Sequence, residues 1–93
     1  MQNQNNSQSG SLADNVRSYC KEHYIIPART KGVSQITIRS GDVHKELGYK
    51  NRLPLVCAAL GAEKFENMAR VKRLSFEGPV NGANTKFTFR IIP

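Results

Sequence analysis

Lys50, Asn51 and Arg52 set an ammonium, a carboxamide and a guanidinium in succession, where one short apolar-periodic segment gives way to the next. Those groups suit base recognition, because Arg can bond guanine bidentately and Asn can bond adenine in the same way. Asn51 also reads as a helix cap, through its side-chain oxygen. Arg52 lies outside the apolar stripe that follows and is the better candidate for contact. Later in the chain Lys72, Arg73, Lys86 and Arg90 flank a polar turn that contains Asn81, Gly82 and Asn84. Such residues track phosphate oxygens, although an ordinary solvated hairpin would carry the same lysines. Arg29 and Lys31, in an earlier basic stretch, are further phosphate candidates.

Other chemistry finds less support. Asp42 and His44 stand two apart near a helix start, but no recognised motif sets a serine or cysteine nucleophile beside them. Paired carboxylates, a Walker loop and HExxH are absent, so the chain does not read as an enzyme and no cofactor or small-molecule substrate is evident. Cys20 and Cys57 both fall within apolar helical patterns and read as reduced, buried thiols. Cys20, His23 and His44 lack the paired spacings of a zinc site, and no metal is expected.

The formal net charge of +7 on 93 residues supplies a general attraction to polyanions. Arg29, Lys31 and Arg39 have no acidic neighbours between residues 24 and 41, and Glu77 alone offsets the basic residues from 68 to 93. Hydrophobic residues at 39% and charged residues at 23% are ordinary for one globular domain. No apolar run approaches the roughly 20 residues that span a bilayer. Residues 1–10 lack the basic start and apolar stretch of a secretory signal and read as a disordered polar tail before a domain at 11–93. The expected location is cytoplasmic, with nucleoid association when bound to DNA.

Periodicity supplies the elements that must position these residues. Leu12, Val16, Tyr19, Cys20 and His23 form a helical stripe behind a Ser11 and Asp14 capping box, and Pro27 predicts a stop near Tyr24. Residues 34–39 alternate as a β-strand, and Ser40 suits the cap of a second helix that Gly48 ends. Leu53, Val56, Cys57 and Leu60 recur at i, i+3, i+4 and i+7 on a third helix, capped by Asn51. Residues 63–68 suggest a further helical turn. Residues 73–77 and 86–91 then alternate around a Gly, Pro and Asn-Gly turn, as a hairpin.

The order α-β-α-α-β-β, from residue 12 to residue 92, resembles winged helix-turn-helix DNA-binding domains. The stretch GDVH…LG…NRxPxVCxAL, here Gly41 to His44, Leu47 with Gly48, and Asn51 to Leu60, also looks like that of small bacterial and archaeal proteins. The fold class implied is α+β, three helices with a small antiparallel sheet. The hairpin loop would be the wing and the third helix the recognition helix.

That helix has an unusual outer face: Pro54, Leu55, Ala58 and Ala59 oppose the core stripe. Apolar residues all round mark a helix buried on both sides. The face therefore touches DNA through thymine methyls, packs on a partner subunit, or lies beneath residues 63–68. Two functions follow. One is a basic prokaryotic protein that binds double-stranded DNA as a dimer, a transcription regulator or chromatin-associated factor. The other is a protein-interaction or oligomerisation module that keeps the same shape without reading bases.

Overall fold

Helical structure extends further at the amino end than the proline signal predicts. In the computed structural model, which describes residues 7–93, α1 spans Ser7–Cys20 and runs on through a π-helical turn at Lys21–Ile25 into α2 at Ile26–Thr30. The expected stop near Tyr24 is corrected by that turn. Its wider winding lets the Ile26 N–H reach the carbonyl of Lys21. Pro27 then falls in the opening turn of α2, where its missing N–H forfeits no bond. Ser11 lies inside α1 rather than at its start, and Asp14 instead binds Arg17 at 2.9 Å and Lys64 at 3.0 Å. Most of the expected tail, residues 1–6, lies outside the described residues.

Two glycines end helices by the same device. Gly32 (φ +76°) closes α2, with Val33 N–H donating to Ala28 and Gly32 N–H to Arg29. Gly48 (φ +71°) closes α3, Ser40–Glu46, through Tyr49 N–H to His44 and Gly48 N–H to Lys45. These paired bonds satisfy the last carbonyls of each helix and need a left-handed residue between them.

The strands β1 (Gln35–Arg39), β2 (Val71–Glu77) and β3 (Lys86–Ile91) make an antiparallel sheet of order β1-β3-β2. Ile36 faces Phe89 and Ile38 faces Phe87 across β1 and β3. On the other side Val71 faces Ile91, and a bulge between Arg73 and Ser75 brings Phe76 opposite Phe87. Alternation therefore turns the aromatic and branched residues to one side. The helices α4 (Leu53–Gly61) and α5 (Glu63–Ala69) join α1 and α3 over that side. Val16, Ile25, Val43, Leu60 and Phe65 are wholly buried there, with the Phe65 ring edge-on to Phe89 at 5.2 Å.

The fold is thus α+β with a small three-stranded antiparallel sheet. It departs from a three-helix count because residues 63–69 form a complete helix. Glu63 and Glu66 favour its positive amino end, and left-handed Arg70 (φ +57°) closes it. Two expected caps do not form. Asn51 is itself left-handed (φ +56°) and makes no cap bond to α4, whereas Ser40 is wholly buried and its hydroxyl donates to Gly82.

Candidate nucleic-acid interface

The turn from α3 to α4 positions the first candidate residues. The N–H of Arg52 donates to Nε2 of His44 at 3.1 Å, and the His44 ring sits edge-on to Tyr49. An accepting Nε2 requires the neutral imidazole with its proton on Nδ1. The bond holds the backbone entering α4, while the side chains of Lys50, Asn51 and Arg52 remain exposed. Among the described residues neither Lys50 nor Arg52 has an ion-pair partner.

Packing explains the apolar outer face of α4. Val56 and Leu60 enter the core, and Ala59 is only 1% exposed because α1 lies against that side. Arg17, itself buried, sends Nη1 to the Ala59 carbonyl at 3.4 Å. Leu55 is half-buried against the core. The expected interface of Pro54, Leu55, Ala58 and Ala59 therefore narrows to Pro54 and Ala58, the exposed pair. At Ala59 the cover is α1.

The hairpin loop, residues 78–85, is docked on the helices. Gly41 N–H donates to Ala83, and Ser40 N–H donates to Thr85. The Gly82 carbonyl accepts the Ser40 hydroxyl and faces the Cys57 Sγ at 3.7 Å. A side chain at position 41 would meet the Ala83 carbonyl at 2.6 Å, so the close approach requires glycine. Asn84 accepts from Arg39 through Oδ1 at 2.7 and 3.2 Å, and Arg39 also pairs with Asp42 at 2.7 Å. Asn84 and Gly82 thus help hold the loop, and exposed Asn81 (φ +58°) stands beside exposed Val80.

The remaining cations separate into distinct places. Lys72, Lys86 and Arg90 lie on the sheet face turned away from the helices. Arg73 does not join them: its side chain lies on the helix side, where Nη1 donates to the Gly61 carbonyl at 2.7 Å. Arg29 is similarly occupied, its Nη2 donating to the carbonyls of Ala69 at 2.9 Å, Arg70 at 3.0 Å and Ile92 at 3.4 Å. Arg29 and Arg73, both expected as phosphate candidates, thus brace backbone carbonyls within the fold. Lys31 is exposed in the turn after α2.

Sequence reasoning missed His44 as an anchor, since neither its residue type nor its spacing announces a bond to a backbone N–H eight residues on. It also missed Glu46. That carboxylate accepts the hydroxyls of Tyr19 at 2.8 Å and Tyr24 at 2.9 and 3.0 Å, tying α1 and the π turn to α3. The Glu46 bond raises the Tyr19 pKa, and burial followed by that bond raises Tyr24 further. Burial, with the Glu46 charge second, pushes the Cys20 thiol up to about 12.

Both cysteines are free and buried. Among the described residues no group of three His, Cys, Asp or Glu side chains gathers as a metal cage, and no helix is long and apolar enough to cross a membrane. No family model, curated protein or solved structure matches the chain.

Proposed function

We propose that the protein is a winged-helix binder of double-stranded DNA, with α3 and α4 as its helix-turn-helix and residues 78–85 as its wing. The element order and the β1-β3-β2 sheet support the winged-helix reading. The observation that carries the functional reading is at Arg52, whose backbone is anchored by His44 while its guanidinium is exposed and, among the described residues, has no ion-pair partner. A cation held at the opening of a helix in this way is organised for an anionic or hydrogen-bonding partner. The net charge of +7 adds the long-range attraction.

In this reading phosphates draw the basic domain to the duplex, and Lys50 neutralises one of them. Arg52 then reaches a guanine edge from the first turn of α4. Pro54 and Ala58 present little bulk, so the helix can approach the groove closely and touch thymine methyls. The loop is docked through Gly82 against Cys57 of α4, and its exposed Asn81 meets the backbone as part of the wing. Such a protein serves as a transcription regulator or chromatin-associated factor and performs no catalysis.

A salt titration on random and selected duplexes tests the proposal. Binding should weaken steeply with salt, and Arg52→Ala should weaken selected sites more than random ones. Absence of duplex binding at low salt, or binding indifferent to salt, overturns it.

A second reading, contact with another protein, is favoured by Leu74 at 45%, Phe76 at 47% and Val80 at 74% exposure along the hairpin. If Val80→Asp abolishes self-association in light scattering yet leaves duplex binding intact, the hairpin serves protein contact and supports a homodimer.

A further inference from the structure

The sheet face turned away from the helices carries an arrangement that strand pairing alone disfavours. Lys72 of β2 lies directly opposite Arg90 of β3, and Arg39 of β1 lies directly opposite Lys86 of β3. Like charges placed opposite one another destabilise a strand pair. One of these pairs is relieved, because Asp42 and Asn84 hold Arg39 and Glu77 stands opposite Lys86. No carboxylate stands opposite the Lys72 and Arg90 pair in the sheet. The pair's remaining neighbour in the row is Gln35, and among the described residues no carboxylate pairs with either cation.

Between the two charged rows lies a row of hydroxyls, Thr37, Thr88 and Ser75, with the first two 2.9 Å apart. Lys72, Ser75, Lys86 and Arg90 are all exposed, so the face is open. Lys86 and Arg90 are four residues apart on β3, roughly 13 Å at about 3.3 Å per residue. That span is close to the major-groove width of about 12 Å. Cations at the ends of β3 would thus reach phosphates on either side of a groove, with hydroxyl donors between them.

Lys50 and Arg52 belong to the helical layer, and the sheet stands between that layer and this face. We infer that the outer face of the sheet is a second DNA-binding surface and that one molecule holds two duplexes at once. The cation pair selects the occupant: a second polyanion relieves the repulsion, whereas an apolar partner would bury it. This inference rests on the duplex-binding reading of α4.

The test is capture of a fluorescent duplex by a second duplex immobilised on beads, at low salt. Wild-type protein should retain the fluorescent duplex. The triple variant Lys72→Gln, Lys86→Gln, Arg90→Gln should lose capture while still binding a single duplex in solution through α4. Arg52→Ala should weaken capture, most for a selected duplex at the α4 site, while keeping the duplex held by the sheet. If wild-type protein binds one duplex but captures no second, or if the triple variant captures as well as wild type, the two-surface inference is overturned and the α4 reading stands. If the triple variant loses all duplex binding and Arg52→Ala loses none, the sheet is the sole surface, and both the inference and the α4 reading fail.

Discussion

His44 and Arg52 are joined by a hydrogen bond of 3.1 Å from the backbone N–H ahead of α4 to an imidazole on α3. It takes the place of the side-chain cap that α4 lacks. One histidine thereby fixes both the angle between two helices and the position of the cation at the mouth of the second.

Replacing His44 with Ala removes the acceptor and leaves the Arg52 N–H to water. The expected loss is about 1 kcal/mol of stability, the usual net value of one such bond. Duplex affinity should fall with it, because Arg52 loses its anchored backbone. Urea denaturation and duplex titration measured on the same variant check both effects.

Arg29 and Lys31 are two residues apart yet should behave oppositely. Arg29→Ala leaves the carbonyls of Ala69, Arg70 and Ile92 without their shared donor, and a loss of about 2 kcal/mol is expected for a charged bond of this kind. Lys31→Ala, at an exposed turn, should stay within about 0.5 kcal/mol of wild type. Equal unfolding midpoints for the two variants would remove Arg29 from its place as a brace.

Gly41→Ala brings a methyl group to 2.6 Å from the Ala83 carbonyl. The loop must move off α3, and a cost of about 1–3 kcal/mol is expected for a forced backbone shift. Amide exchange should quicken at Gly41 and Ser40, whose N–H groups are bonded to that loop. Gly82→Ala would add its methyl against the Pro79 ring, a side chain of the same loop, and should leave the bonds to α3 in place.

Alkaline pH should weaken the fold. Cys20 is raised to about 12, and Tyr19 and Tyr24 are raised above the ordinary tyrosine range. The folded chain therefore keeps protons that the unfolded chain releases. The contribution of these groups is complete below about pH 8.5, where the unfolded thiol stays protonated, and is lost progressively as pH rises toward the folded values. Urea midpoints should fall between pH 9 and pH 11, both approximate bounds set by free Cys and Tyr. Tyr24→Phe should reduce the fall above about pH 10, since it removes one of the titrating phenols.

Much of the architecture was legible because it follows from neighbours along the chain. Gly48 ends α3 as its position predicts, since a left-handed residue closes the last carbonyls whatever lies beyond. The alternation of Phe87, Phe89 and Ile91 sets the inner face of β3 before any partner strand is known. Pro27 misled because the proline rule assumes α-helical winding, and the π turn at Lys21–Ile25 changes which carbonyl precedes it. Ser40 and Asn51 misled because a cap-forming residue type does not specify its own partner.

From the sequence alone came the positive charge, the pairing of two helices across Gly48, the strand order along the chain and the candidates at Lys50 and Arg52. These rest on residue type and short spacing, to which local backbone geometry responds directly. Tertiary structure alone decided which cations stay free. Arg29, Arg73 and Lys72 carry the same charge, yet two meet backbone carbonyls and one faces open space. It also covered Ala59 with α1 and set Gly82 on Ser40, contacts that join positions 42 residues apart. A carbonyl acts as a partner only where a distant segment crosses it, and no local pattern of residue types records where that crossing falls.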